Sequence, residues 1–173
     1  MKTEYRILIV DDEGPIKNLL VTFLTSQGHQ CDTAMNGVEA LKKANQHHYD
    51  AVITDIAMPE MDGIALTQKL SQRFSHLSIM VMTGFYDEYS ADNAVAAGAR
   101  EFIKKPFPLT EFHTRFQRMM RDRELFHQIQ VKKEEVEKAS NEMILGLQKE
   151  SLETIERLRK ELEGLRKKKD LPD

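Results

Sequence analysis

The sequence has 173 residues, of which 40% are hydrophobic and 31% are charged, and its formal net charge is -3 at pH 7. This length provides one ordinary domain with roughly 50 residues to spare, and the small net charge gives no global attraction to nucleic acid or to an anionic membrane. A single cysteine excludes an intrachain disulfide framework, and no stretch approaches the roughly 20 apolar residues of a membrane span, so we expect a cytoplasmic globular protein without a membrane segment.

Short apolar runs and amphipathic helical patterns alternate five times along the chain, up to about residue 120. This alternation predicts an α/β fold with a doubly wound parallel sheet and right-handed crossovers, although it does not determine the order of the strands. The predicted strands are residues 6–10, 29–34, 50–55, 77–82 and 100–103. The predicted helices run from Pro15 to Gly28, from Asn36 onward, over residues 64–74 and 88–97, and from Leu109 to about Met120.

Polar residues stand at the carboxyl ends of four of these strands: Asp11 and Asp12 after the first, Asp55 at the end of the third, Thr83 after the fourth and Lys105 after the fifth. Because the carboxyl ends of parallel strands lie at one edge of a sheet, we expect these side chains to converge. Three carboxylates with one lysine suit a hard divalent cation and a phosphoryl group, and a carboxylate can be the nucleophile of phosphoryl transfer. For Asp55 alone, the alternative is a loop residue that caps the next helix.

The motifs at these strand ends are DDE at 11–13, DIAMPEMDG at 55–63, MTG at 82–84 and FIKKPF at 102–107. In order, spacing and residue type, residues 4–120 resemble the receiver domain of two-component response regulators. The resemblance implies a flavodoxin-like fold with strand order 2-1-3-4-5. It also implies that Asp55 accepts a phosphoryl group from a sensor histidine kinase or a phosphotransfer protein.

The resemblance further implies a magnesium site beside the acceptor. Asp12, Asp55 and the backbone carbonyl of Ala57 would ligate Mg²⁺, Asp11 would act directly or through water, and Lys105 would pair with the phosphoryl oxygens. The protein would then be a regulatory phosphoacceptor that assists its own phosphorylation and dephosphorylation, rather than an enzyme that acts on a separate substrate.

Three residues match the conformational switch of the same family. Thr83 corresponds to the hydroxyl that moves to hydrogen-bond the phosphoryl group, and Phe102 corresponds to the aromatic side chain that swings inward. Pro106 corresponds to a proline that follows the lysine through a cis peptide bond, a geometry that is inexpensive only before proline. A local charge would thereby bias a bistable loop.

Two further positions flank the path of the attacking water in this family, and here they are Ala57 and Phe85. Neither side chain can orient a water molecule through a hydrogen bond. We therefore expect slow self-dephosphorylation; loss of the phosphoryl group within seconds at neutral pH would contradict this hypothesis.

Residues 121–169 differ in composition from the preceding part, because aromatic residues vanish after Phe126 and Glu, Lys, Arg and Leu dominate. Opposite charges are interspersed, as on a solvated helix. No second apolar core, helix-turn-helix pattern or phosphate-binding glycine loop follows. We therefore predict a receiver at 1–120, a helical extension at 121–169 and a tail at 170–173, and we do not expect direct nucleic-acid binding.

The extension carries apolar residues at the spacing of a coiled-coil seam, with a register slip at 148–154 that indicates a stutter or a junction of two helices. Lys133 and Ser140 interrupt the seam, and Gly146 costs about 1 kcal/mol relative to alanine in a helix. We predict a parallel homodimer through residues 121–169; the alternative is a single amphipathic helix that packs back on the receiver. The seam residues are Ile129, Val136, Met143, Leu147, Ile155, Leu158, Leu162 and Leu165.

The leading interpretation is a response regulator of a two-component phosphorelay that signals to a partner protein. One alternative is the receiver and linker of a longer regulator with a DNA-binding or nucleotide-hydrolysing effector. Another is a magnesium-dependent phosphohydrolase with Asp55 as its nucleophile, but Lys105 with Thr83 and Phe102 forms a switch set that needs no substrate pocket. Four other polar residues are interpreted as solvated loop or helix residues rather than ligands: Asp62, His47, His48 and His76.

Overall fold

The computed structural model describes residues 4–84 and 91–169, with side chains up to residue 165. Strands and helices alternate, and the strands form one parallel sheet in the order β2-β1-β3-β4-β5. The strands are β1 (Arg6–Val10), β2 (Gln30–Ala34), β3 (Ala51–Asp55), β4 (Ser78–Thr83) and β5 (Glu101–Lys104). The helices are α1 (Gly14–Ser26), α2 (Gly37–Gln46), α3 (Gly63–Arg73), α4 (Ala91–Ala97) and α5 (Leu109–Lys169).

The sheet is covered by helices on both faces, which explains why its central strands are unbroken apolar runs. Alternate residues of β1 enter two different cores, because successive side chains of a strand point to opposite faces. Leu8 and Val10 pack in the core that includes residues of α2, α3 and α4, whereas Ile7 and Ile9 pack with residues of α1 and the start of α5. All four side chains are fully buried. This packing fixes the strands, so polar residues at their carboxyl ends are held at one edge.

The predicted α/β fold and the strand order implied by the resemblance are both confirmed. Apart from the start of α4 and the end of α5, the element bounds agree to within two residues. Asn36 caps α2 as predicted, since its side-chain oxygen accepts a hydrogen bond of 2.8 Å from the backbone N–H of Glu39. Gly98 follows α4 with a φ of 104°, a conformation that favours glycine. Residues 88–90 of the predicted fourth helix lie outside the described residues.

Helix α5 is continuous from Leu109 to Lys169, so it contains no junction at residues 148–154, where the heptad register slips. The contacts of the chain divide it into two compact units, one ending at His127 and one beginning at Gln128. Among the described residues, no helix combines the length and apolar character that spanning a membrane requires.

Candidate functional site

Three carboxylates lie together at the carboxyl edge of the sheet. Asp11 and Asp12 follow β1, Asp55 ends β3, and these two strands are neighbours. One carboxylate oxygen from each residue lies within 4.8 Å of the others. Asp11 is fully buried, Asp55 is 6% exposed and Asp12 is exposed. The cluster therefore joins two buried carboxylates to one that faces solvent, an arrangement that suits a hard, partly hydrated cation.

Lys105, which follows β5, reaches into this cluster. Its Nζ lies 3.0 Å from Oδ2 of Asp55 and 3.1 Å from Oδ2 of Asp11, and its side chain is 13% exposed. Burial acts to lower the pKa of Lys105, but the two carboxylates outweigh this effect and raise the pKa above its ordinary value. Lys105 therefore remains protonated at neutral pH and provides a fixed positive charge beside Asp55.

The carboxyl group of Asp55 is held in an environment that opposes its charge. Burial raises the pKa of Asp55, the ion pair with Lys105 counters this effect, and the negative charge of Asp11 adds to it, so that the pKa lies above its ordinary value. A cation placed among these oxygens relieves both the desolvation and the repulsion between the carboxylates. The electrostatics of the cluster thus favour the binding of a positive ion.

Two glycines allow the loop after Asp55 to lie close to its neighbours. A Cβ atom at Gly63, the first residue of α3, would lie 1.9 Å from the backbone oxygen of Asp55, and the N–H of Gly63 donates a hydrogen bond of 2.9 Å to the oxygen of Ile56. A Cβ atom at Gly37, the first residue of α2, would lie 2.7 Å from the backbone oxygen of Met61. Both helices therefore begin in direct contact with the loop, and only glycine permits this approach.

Lys17 is a buried cation next to the cluster that the sequence reasoning missed. Its Nζ donates a hydrogen bond of 2.7 Å to the backbone oxygen of Asp11, and the residue is 7% exposed. Its position on α1 offered a signal, because Lys17 lies on the buried face with Leu20 and Leu24 at helical spacing. The contact fixes the backbone that presents the carboxylates Asp11 and Asp12.

The two predicted switch residues lie on strands β4 and β5. Thr83 is 3% exposed and follows Met82, which is the register partner of Asp55 across β3 and β4. The backbone oxygen of Thr83 accepts a hydrogen bond of 2.7 Å from the N–H of Lys105. Phe102 is partly buried and packs against the core that includes residues of α2, α3 and α4. Thr83 is thus hydrogen-bonded to Lys105 and lies next to the strand partner of Asp55.

The remaining predicted site residues lie in the loops of this edge. Ala57 is exposed two residues after Asp55, and its short side chain carries no polar group. The peptide bond between Lys105 and Pro106 is cis, as the resemblance implies. Phe85 lies outside the described residues.

The residues interpreted as structural lie outside the carboxylate cluster. Asp62 caps α3, because its side chain accepts a hydrogen bond of 2.7 Å from the backbone N–H of Ala65. The capping role considered for Asp55 therefore belongs to Asp62. His48 and His76 stack on each other with ring centroids 4.5 Å apart, in the loops that follow α2 and α3.

Comparison with protein families identifies the part of the chain that contains the sheet. The model of the response regulator receiver domain matches residues 7–117. The chain belongs to the response regulator receiver family. The carboxylate cluster, Lys105 and Thr83 lie within the matched segment of this receiver domain.

Curated relatives match about two thirds of the chain. The probable transcriptional regulator ycf27 of Cyanidium caldarium is 36% identical over 120 residues, which is 69% of this chain and 48% of the relative. The regulatory protein AtoC of Escherichia coli K12 is 36% identical over 115 residues, which is 66% of this chain and 25% of the relative. The chain thus spans about half the length of these curated relatives, or less.

Solved structures show the same fold. The response regulator TrrA of Thermotoga maritima, determined in complex with Mg²⁺ and BeF, is 37% identical with a TM-score of 0.60, and the match covers 66% of this chain and 97% of that one. NtrX of Brucella abortus is 28% identical with a TM-score of 0.68, and the match covers 72% of this chain and 29% of that one.

Proposed function

We propose that the chain is a phosphorylation-controlled response regulator in which Asp55 accepts a phosphoryl group from a sensor histidine kinase or a phosphotransfer protein. The observation that carries this proposal is the position of Lys105, whose ammonium lies 3.0 Å from Asp55 and 3.1 Å from Asp11 within a cluster of three carboxylates. Phosphoryl transfer depends on positioning and charge neutralisation. A carboxylate nucleophile beside a fixed ammonium group meets both requirements.

In the proposed transfer, a carboxylate oxygen of Asp55 attacks the phosphorus atom of a phosphohistidine. The P–O bond to Asp55 forms as the P–N bond breaks, and the imidazole nitrogen keeps the electron pair and takes a proton. Lys105 is placed to neutralise charge on the phosphoryl oxygens, because its raised pKa keeps it protonated. The reaction leaves an acyl phosphate on the protein.

Magnesium is the proposed cofactor, and Asp11, Asp12, Asp55 and the backbone carbonyl of Ala57 are the residues that would hold it. When bound, Mg²⁺ supplies positive charge for the oxygens of the phosphoryl group. Three carboxylates lie together here, Lys105 pairs with two of them, and Lys17 binds only the backbone oxygen of Asp11, so the negative charge of the cluster favours a further cation.

The proposed output is a change at β4 and β5. Thr83 would hydrogen-bond the phosphoryl group, and Phe102 would move inward from its partly buried position. Since Ala57 cannot orient a water molecule through its side chain, slow loss of the phosphoryl group remains our prediction. The chain would act in the cytoplasm on a downstream protein, without direct contact with nucleic acid.

We also propose that the extension at 121–169 pairs with a second copy of the chain. A stripe of exposed apolar residues on α5 supports this pairing, and examples are Val136 and Met143, each 69% exposed. The second candidate function, a receiver and linker within a longer regulator, is favoured by the length of the curated relatives, of which the chain spans about half or less.

The test is direct phosphorylation with a small donor such as acetyl phosphate or phosphoramidate, followed by intact mass spectrometry. The wild-type chain should gain one phosphoryl group in the presence of Mg²⁺ and none in excess chelator. The group should be released by hydroxylamine, which cleaves acyl phosphates. Asp55→Asn should abolish the gain completely.

The matched control is Asp62→Asn, because Asp62 is a loop carboxylate seven positions after Asp55 that caps α3. This variant should be phosphorylated like the wild type, since asparagine is an equally good cap. Labelling that persists in Asp55→Asn, or that resists hydroxylamine, would overturn the assignment of the acceptor.

A further inference from the structure

The second unit of the chain exposes its apolar side chains throughout. Among residues 128–165, every Ile, Leu, Met and Val is at least 40% exposed. An isolated helix gains little stability from such a stripe, and a contiguous exposed apolar surface marks an interaction site. The spacing of the stripe indicates what covers it.

The stripe follows a heptad in which Ile129, Val136 and Met143 occupy d positions and Lys133, Ser140 and Leu147 occupy a positions. After a shift of one residue, Ile155 and Leu162 occupy a positions, and Leu158 and Leu165 occupy d positions. Seven of these seam residues are 47% to 69% exposed. They are the three d residues before the shift and the four a and d residues after it. A two-stranded coiled coil buries such positions against a partner with the same repeat.

We propose that residues 128–165 form a parallel, in-register coiled coil with a second copy of this chain, an inference that rests on the proposed pairing of the extension. In a parallel dimer, the g position of one helix faces the e position five residues further along the other. The flanking residues match under this rule. Lys132 (g) faces Glu137 (e) of the second copy. Leu147, which becomes a g position in the register after the shift, faces Leu152 (e) of the second copy.

Two apolar residues that lie beside the seam are also explained by the parallel arrangement. Ile144 is 50% exposed and Leu152 is 63% exposed, although neither lies at an a or d position. In the parallel register, Ile144 meets Ala139 of the second copy, and Leu152 meets Leu147, so both widen the apolar seam. Apolar side chains therefore face apolar side chains in these two pairs, and a lysine faces a glutamate in the pair of Lys132 with Glu137.

The antiparallel arrangement matches less well. If the apolar seams stay in contact, Lys132 lies opposite Glu161, which is favourable. The same alignment sets Glu137 opposite Leu152, so a carboxylate faces an apolar side chain that gains no apolar partner. The flanks thus favour the parallel orientation.

Lys133 is the charged residue that this arrangement must accommodate at an a position. Its Nζ lies 4.0 Å from the carboxylate of Glu137 one turn along the same helix, which reduces the repulsion between the two copies of Lys133. A polar a position lowers stability but selects a two-stranded, registered coiled coil. Lys133 therefore accords with a dimer rather than a larger bundle.

Cysteine cross-linking of the full chain tests the orientation, in a Cys31→Ser background that removes the native thiol. Val136→Cys and Leu158→Cys should each form a disulfide with the same residue of the second copy under mild oxidation. The matched control is Lys138→Cys at an outward position, which should cross-link at least about tenfold more slowly.

Each outcome decides the proposal. Self-cross-linking of both seam variants supports it. Cross-linking of Val136→Cys only with Ile155→Cys, in a mixture of the two variants, shows an antiparallel pair and overturns it. A chain that sediments as a monomer without cross-links also overturns it. Because none of these variants involves Asp55, failure of the phosphoacceptor proposal would appear in the labelling assay and not here.

A charge reversal gives an independent measurement. Lys132→Glu should weaken the dimer in sedimentation equilibrium by roughly tenfold at low salt, because two attractive pairs become repulsive. The double variant Lys132→Glu/Glu137→Lys should restore the affinity. Lack of restoration would contradict the predicted contact across the parallel dimer.

Discussion

Apolar residues are buried in the first part of helix α5 and exposed in its second part. Phe112, Phe116 and Met119, near the start of the helix, are at most 3% exposed, whereas Ile129 and Val136 are 62% and 69% exposed. All five lie on one continuous helix with apolar residues at helical spacing. The spacing of apolar residues therefore indicates which face of a helix should be buried. Whether the same chain can bury that face depends on the rest of the fold.

In the receiver, the apolar side chains at the start of α5 are buried because they pack on the sheet. Phe112 contacts the rings of Phe23, Phe107 and Phe116, with centroids 5.9 to 6.2 Å apart. The helix beyond Gln128 belongs to the second compact unit. The difference suggests that stability in the first unit is intramolecular and that stability in the second depends on a partner.

The largest effect should come from removing a ring in the first unit. Phe112→Ala should lower the free energy of unfolding of the receiver by about 3 to 5 kcal/mol, because the cavity cannot be filled by a neighbour. The measurement is differential scanning calorimetry of the receiver transition. Val136→Ala, the matched truncation on the exposed part of the same helix, should change that transition by less than about 0.5 kcal/mol.

Equal losses for Phe112→Ala and Val136→Ala would break the comparison, because they would show that the exposed stripe contributes to the receiver fold. That result would favour the alternative in which the extension packs back on the receiver. A loss confined to Phe112→Ala would support the separation into two units.

The next effect concerns where the first unit ends. Arg123 donates to Asp50 at 2.9 Å and to the backbone oxygen of His76 at 3.1 Å, and the side chains of Arg123 and Asp50 are 15% and 3% exposed. Arg123→Ala removes the ion pair with Arg123 from a buried carboxylate, so we expect a loss of about 3 kcal/mol. Arg121→Ala, an exposed neighbour on the same helix, is the control and should be nearly neutral.

Truncation sharpens this boundary. A chain ending at residue 120 should be less stable than one ending at residue 127 by about the same amount, since only the longer one contains Arg123. If the two truncated chains unfold together in urea, the ion pair contributes nothing and the predicted boundary at residue 120 is sufficient.

The fold was predictable from sequence because its decisive signals are local. Unbroken apolar runs mark parallel strands, and a capping residue such as Asn36 or a glycine such as Gly98 marks a helix end. Placement at the carboxyl ends of strands also brought Asp11, Asp55 and Lys105 to one edge. The resemblance to receiver domains then supplied the strand order, which the alternation could not.

The parts that could not be predicted depend on contacts that exist only once the elements have packed together. The pair of Arg123 with Asp50 joins residues 73 positions apart. The spacing of Lys17 with Leu20 and Leu24 gave a partial signal of burial, but not its partner, the backbone oxygen of Asp11. The close approach of Gly63 to the end of β3 is likewise a property of packing, although a glycine after a loop gave a partial signal.

The smallest effect should be a gain in stability from removing the acceptor's charge. The raised pKa of Asp55 means that the folded state holds a proton there more strongly than the unfolded state does, so ionisation lowers the stability as pH rises from about 4 through the folded pKa. Asp55→Asn, measured in chelator at pH 7, should therefore be more stable than the wild type by about 1 kcal/mol, the usual size of a single-site effect. This gain should vanish below about pH 4, where the carboxyl is protonated in both states. Asp12→Asn, at the exposed carboxylate, should give a smaller gain.

Adding Mg²⁺ should raise the melting temperature of the wild type more than that of Asp55→Asn, because only the wild type offers the full set of carboxylate oxygens. If the wild type were more stable than Asp55→Asn without a metal, the ion pair with Lys105 would outweigh the cost of burying the charge. The carboxylate cluster would then, like the apolar core, be stabilised by contacts within the chain alone.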